Sequence, residues 1–216
     1  MTYVAKHTSI PVPKVQRAWR SNRITYIVMD FVRGVELAYA WHHMSQDTKD
    51  WVILQLKDYI AQLRALVSPS TDGAVTSVIG GPLRDGSRVG LNPFGPFRSH
   101  DDFHQFLRAG FTIDSFGAFQ SMDEVLISHG QQYATKFTHG DLAPRNIMVM
   151  EDGTITAIVD WDSAGWFPEY WEYTKANFTP QAPDDWVSRI GEITGRYDEQ
   201  LAGDRRLCTL CGFMLT

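Results

Sequence analysis

Apolar residues gather first into two β-rich runs, residues 15–19 (V-Q-R-A-W) and 24–29 (I-T-Y-I-V-M), separated by the polar Arg20-Ser21-Asn22-Arg23. This pattern predicts a hairpin. The second run passes into Asp30-Phe31-Val32-Arg33-Gly34, where Gly34 lets the chain change direction. Over residues 47–67 the rhythm changes. Val52, Leu56, Tyr59, Ile60, Leu63, Leu66 and Val67 recur at spacings of three and four, the signature of one long amphipathic helix. Asp47 is its expected cap and Ser68-Pro69 its stop. Residues 72–98 are rich in Gly and Pro with short β-like pieces, which predicts an extended loop or irregular hairpin. Shorter helices are expected over 100–109 and 121–134. The tail from Pro183 reads as one or two more, with Gly191 and Gly195 near their break. Residues 147–150 and 154–159 are apolar runs around Glu151-Asp152-Gly153, a strong hairpin signal.

Composition narrows the function classes. The chain has 216 residues, 44% hydrophobic and 21% charged, which suits one domain or one domain plus a fragment. A net charge of -5 argues against a general nucleic-acid binder and suits a cationic small substrate better. No apolar run approaches the roughly 18–20 residues of a membrane span, and Lys6, His7, Pro11, Pro13 and Lys14 interrupt any signal-peptide core. Two cysteines and no export signal predict a reducing, cytoplasmic setting. Cys208 and Cys211 then read as small apolar residues of the last helix, and the Asn177-Phe178-Thr179 sequon is idle. His100 and His104 sit four apart, but no third metal ligand accompanies them, so they are expected as surface or capping residues.

The chemistry concentrates in residues 137–173. Asn146 lies seven residues before Gly153 and Asp160 seven after it. In an antiparallel hairpin the two would face each other at the open end, Cβ atoms about 5 Å apart. One amide oxygen and one carboxylate there make a hard-oxygen site suited to Mg²⁺. Asp141 stands five residues before Asn146, in a loop that Gly140 and Pro144 keep from becoming helix. A carboxylate beside such a pair is where a phosphoryl-transfer enzyme places its base. Trp161, Trp166, Phe167, Tyr170 and Trp171 read as packing residues. Asp162 is either a supporting acid or a turn former. Glu169 and Glu172 either line a cationic pocket or are solvated helix acids.

His139-Gly140-Asp141 followed by Asn146 resembles the H-x-D-x-x-x-x-N catalytic loop of kinase-like folds. With Gly after His and I-V-D-W-D at the second metal ligand, the stretch resembles the aminoglycoside phosphotransferase family, which includes choline-kinase-like enzymes. The resemblance covers nearly the whole chain from about Thr8. It implies an α+β, protein-kinase-like fold: a mostly helical C-lobe (34–216) with a catalytic β-hairpin, preceded by a remnant of the N-lobe sheet and hinge strand (1–33). By position it makes Asp141 the catalytic base, Asn146 and Asp160 the Mg²⁺ ligands, and His139 a brace for the loop. The run Y-I-V-M-D-F-V-R-G resembles the strand and hinge that seat the adenine of ATP. Met29 would face that pocket, and backbone groups of Asp30, Phe31 and Val32 would meet the base edge.

The family pattern also contains a Gly-rich loop and a strand-borne Lys over the phosphates. Here no glycine precedes Gly34, and Lys6 and Lys14, the lysines before it, do not match the ATP-binding position. Two readings follow: a phosphotransferase acting on a small-molecule hydroxyl, with activity reduced by the missing clamp, or a kinase-like pseudoenzyme that binds a small molecule or partner without transferring phosphate. A hinge strand without its neighbours leaves an exposed sheet edge, which opens a route to a homodimer.

Overall fold

The computed structural model of the protein describes residues 1–22, 24–70, 73–179 and 182–211. The chain begins with α1 (Thr2–His7) and the antiparallel ribbon of β1 (Val15–Ser21) and β2 (Ile24–Met29). Ser21 pairs with Ile24 and Val15 with Met29, with an irregularity between Val15 and Arg17. Arg23 of the predicted turn lies outside the described residues. Trp19 stacks on Tyr26 at 5.2 Å and Arg17 lies over Trp19, contacts that hold the ribbon's exposed face together. Among the described residues no further strand joins this ribbon. Residues 1–12 behave differently. Val4 and Ile10 are buried in the main core, and Ile158 donates a backbone hydrogen bond of 2.8 Å to Pro11 O.

After the ribbon come β3 (Val35–Glu36), the one-turn α2 (Leu37–Ala40) and the long α3 (Gln46–Ala65). The apolar stripe of α3 buries Val52, Ile53, Leu56, Ile60 and Leu63. Its cap is Ser45, not Asp47. Ser45 has extended backbone and its Oγ accepts from the Thr48 amide, 3.2 Å, while Asp47 sits inside the first turn, where its charge suits the helix dipole. The Gly- and Pro-rich stretch forms β4 (Thr76–Ser77), β5 (Leu83–Asp85) and β6 (Gly90–Phe94). Next are α4 (His100–Leu107), α5 (Ile113–Phe116) and α6 (Asp123–His129). The last of these is shorter than the pattern predicted because Gly130 closes it.

The remaining strands are β7 (Thr135–Thr138), β8 (Ile147–Val149), β9 (Ile155–Ile158) and β10 (Gly165–Pro168). The helices α7 (Trp171–Ala176), α8 (Asp184–Thr194) and α9 (Asp198–Cys211) follow, with Gly195 at φ +77° between the last two. Cys208 lies on α9 as expected; the side chain of Cys211 is outside the described set. Two small antiparallel sheets frame the chemistry, in the orders β3-β8-β9 and β4-β10-β7. Strand β10 is buried along its whole length, with Gly165 pressed against Leu83 and the backbone of Thr76. Trp161, Trp166, Phe167, Tyr170 and Trp171 are all buried, as packing residues.

The second core, around Phe103, Leu107, Phe167, Trp171 and Leu207, carries an unusual polar content. His104 is neither a surface nor a capping residue. It is buried, bonded through Nε2 to the Tyr170 hydroxyl at 2.8 Å, and stacked on the buried His129 at 4.1 Å. His100 instead meets Thr135 Oγ1 at 3.1 Å. Burial holds the His104 imidazole down at about 3 and His129 well below the usual range. A histidine depressed on folding binds its proton only in the unfolded chain, so its stabilising contribution is present above the unfolded value near 6.5 and is lost as pH falls toward the folded one. His104 alone is expected to remove about 2 kcal/mol between pH 7 and pH 5. Urea midpoints measured across that range test this, and a flat profile would contradict it.

Candidate active site

The loop between β7 and β8 is fixed from both sides. His139 is fully buried, and its ring bridges two elements: Nε2 meets Val159 O at 3.0 Å, while Nδ1 accepts from the Asp141 amide at 3.2 Å. Those two bonds require the neutral tautomer with the proton on Nε2. Burial enforces neutrality, pushing the imidazole down to about 4 although the fields of Asp141 and Asp160 oppose it. His139 therefore ties the Asp141 backbone to the residue just before Asp160. It serves as a brace, with no proton to give near neutral pH.

Glu172 holds the loop from the other side. Its carboxylate accepts from the backbone amides of His139 at 2.6 Å and Gly140 at 3.2 Å. It is buried on α7 and is neither a pocket-lining nor a solvated acid. Burial raises its pKa to about 7, against the lowering effect of those amides, Arg64 and Lys175. Sequence reasoning missed this residue because a lone Glu on a helix carries no local sign of burial. Gly140 itself is at φ +77°, and a Cβ there would lie 2.6 Å from Ser163 O. Gly140→Ala is expected to cost about 2 kcal/mol and to displace the loop. Urea denaturation at unchanged m-value is the measurement.

Asp141 and Asn146 come together. Asn146 Nδ2 donates to Asp141 O and to Asp141 Oδ2, both at 2.8 Å. Reversing the amide would set oxygen against both acceptors, so Asn146 Oδ1 is the atom left over to act as a ligand. Arg145 Nη2 reaches both oxygens of Asp141, at 2.8 and 2.7 Å. The turn at Pro144–Asn146 places these residues, with Pro144 opening it.

Asp160 arrives differently from the symmetric pairing that the sequence predicts. Ile147 pairs with Ile158, and Asn146 O accepts from the Val159 amide at 2.9 Å, so Asn146 faces Val159. The register departs because the turn is centred on Asp152 and not on Gly153, with Met150 N–H bonded to Thr154 O at 2.9 Å, and because the pairing is irregular between Met148 and Val149. Asp160 lies past the end of β9 in left-handed backbone, φ 60° and ψ 62°, which turns the chain out of the strand direction. Its carboxylate is exposed and caps nothing. The free Asn146 oxygen and the uncommitted Asp160 carboxylate fit a hard cation such as Mg²⁺, which takes one or two carboxylates plus phosphate oxygens. Asp162 is exposed in the turn that follows.

The hinge run stands apart from this cluster. Met29 is 39% exposed and Phe31 91% exposed. The Asp30 amide is spent on Lys14 O, 2.9 Å, and the Asp30 carboxylate accepts from Gln16. Among the described residues no backbone hydrogen bond engages the amides of Phe31 or Val32. Their link to the chemistry runs through Arg33 O, which accepts from Thr156 Oγ1 at 2.6 Å, and through Gly34. Gly34, at φ +112°, packs so closely on Val149 O that any Cβ would clash.

Comparison with known proteins agrees with this geometry. No curated protein matches the chain significantly. Among solved structures it is similar to an aminoglycoside-3′-phosphotransferase of type VIII, with TM-score 0.55 and 16% identity over 95% of this chain and 76% of that one. It also resembles the ADP-bound aminoglycoside phosphotransferase APH(2″)-Ib, with TM-score 0.56 and 10% identity over 99% and 70%. The streptomycin–ATP–APH(2″)-IIa ternary complex gives TM-score 0.56 and 11% identity over the same shares. At such identities these likenesses establish the protein-kinase-like fold. The model of the phosphotransferase enzyme family matches residues 1–205, and the chain belongs to that family.

Proposed function

We propose that this protein is an ATP- and Mg²⁺-dependent phosphotransferase acting on a hydroxyl group of a small molecule. The observation that carries the reading is the Asp141–Asn146 contact of 2.8 Å in a loop anchored by His139 and Glu172. Family membership and the nucleotide- and streptomycin-bound neighbours support it. Bound Mg²⁺, held by Asn146 and Asp160, would supply charge neutralisation on the phosphates. Asp141 Oδ1, which among the described residues accepts only from Arg145, keeps a lone pair for the substrate hydroxyl and takes its proton as the phosphoryl group moves. Arg145 offsets the negative charge gathered there. The unengaged amides of Phe31 and Val32 would meet the adenine edge.

A second reading is a kinase-like binder that transfers no phosphate. The closed pairing of both Asp141 oxygens with Arg145 favours it, because a base engaged in this way is not poised for a substrate. One experiment separates the two: calorimetric binding of Mg·ATP together with γ-phosphate transfer to a panel of amino sugars, amino alcohols and macrolides. Mg²⁺-dependent transfer establishes the first reading. Binding without transfer establishes the second, and the absence of both removes the two together.

A further inference from the structure

Arg108, which ends α4, is only 4% exposed, yet its bonded partners are neutral. Nε donates to Phe111 O at 3.2 Å, and Nη1 donates to Nδ1 of the buried His129 at 2.8 Å. Among the described residues no carboxylate pairs with this guanidinium. A buried charge that meets only neutral groups is costly, and such sites are normally completed by a counter-charge. The electrostatic balance points the same way: burial lowers the Arg108 pKa, and only Asp101 and Tyr170 act against it.

Arg108 lines a cavity of ≈ 350 Å³ together with Asp101, Gln105, His129, Gln131 and Gln132. That volume is within the range of small-molecule sites, and Gln105, Gln131 and Gln132 contribute side-chain amides to the lining. The cavity is separate from the Asp141 loop. Its neighbour His100 meets Thr135 at the start of β7, whereas the Asp141 loop leaves the other end of that strand, about 10 Å away.

We propose that this cavity binds a small oxyanion, a phosphate or a carboxylate, on the Arg108 guanidinium. Two acids temper the site. Asp101 lies two turns earlier on α4, about 10 Å along the axis, and Glu199 accepts from Gln131 Nε2 at 3.2 Å. Asp101 is exposed and lines the cavity, so its charge weakens anion binding without contributing to the core. The inference does not depend on the transferase reading.

The test is titration of the full chain with inorganic phosphate and, separately, with succinate, following the His129 imidazole resonances by NMR. His129 reports this cavity and not the Asp141 loop, because it bonds Arg108 directly. Saturable shifts are expected with at least one anion, and the anion that produces them tells the phosphate source from the carboxylate one. Arg108→Gln is expected to weaken binding about tenfold or more, and Asp101→Asn to tighten it several-fold. Absence of saturable shifts with both anions overturns the proposal. So does unchanged affinity in Asp101→Asn, a surface substitution that keeps the test decisive if Arg108→Gln does not fold.

Discussion

Asp141→Asn is expected to reduce phosphoryl transfer by about 10²–10⁴-fold, with nucleotide affinity and fold stability close to those of the wild type. The substitution is nearly isosteric. Asn146 Nδ2 keeps its bond to the Asp141 main-chain oxygen, and the loop remains anchored through His139 and Glu172. What disappears is the lone pair basic enough to take the substrate proton. Arg145 loses its ion pair, but that pair is partly solvated and contributes little to stability. The loss should fall on kcat, with KM for ATP preserved. A variant that transferred phosphate at the wild-type rate would remove Asp141 from the base role and return the site to a binding function.

Lys175→Met should destabilise the protein by about 3–5 kcal/mol. Lys175 Nζ donates to Asp85 Oδ1 and to Ser87 Oγ, both at 2.6 Å, with the two charged side chains 1% exposed. Removing the ammonium strands a carboxylate whose second oxygen already has no partner. The consequence reaches the active site, since this pair joins β5 to the helix that bears Glu172. Adding Asp85→Asn should restore most of the loss. The amide oxygen still accepts from Ser87 Oγ and the Arg88 amide, and no unpaired charge remains buried. Urea midpoints of the two single variants and the double variant give the coupling directly. Additive losses in place of recovery would show that Lys175 acts through packing alone.

Several parts of the architecture were legible along the chain because they depend on local order. The three-four spacing from Val52 to Leu63 specified α3, since a helix turns its own neighbours onto one face. The Asp141 loop and the β8–β9 hairpin were equally readable. Asp141 and Asn146 are five residues apart and meet through one short turn, so their contact needs nothing distant.

Where the prediction diverged, the deciding partner lay elsewhere. Glu172 is 33 residues from the amide it binds, and Lys175 is 90 residues from Asp85. Neither carries a local sign of its burial, because burial is a property of what packs on top of a residue. His104 looked like a surface group for the same reason, until Tyr170 and His129 closed over it. Even the hairpin withheld one detail: a single residue of register, set by where the turn is centred and by the irregularity in β8, decided that Asn146 faces Val159 and that Asp160 reaches onward through left-handed backbone. The sequence by itself determined which groups are candidates for the chemistry and which segments are helix or hairpin, since spacing encodes short-range geometry. Only the tertiary structure decided which charges are buried, what braces the loop and how its carboxylates are aimed, because those depend on contacts between segments that no local period connects.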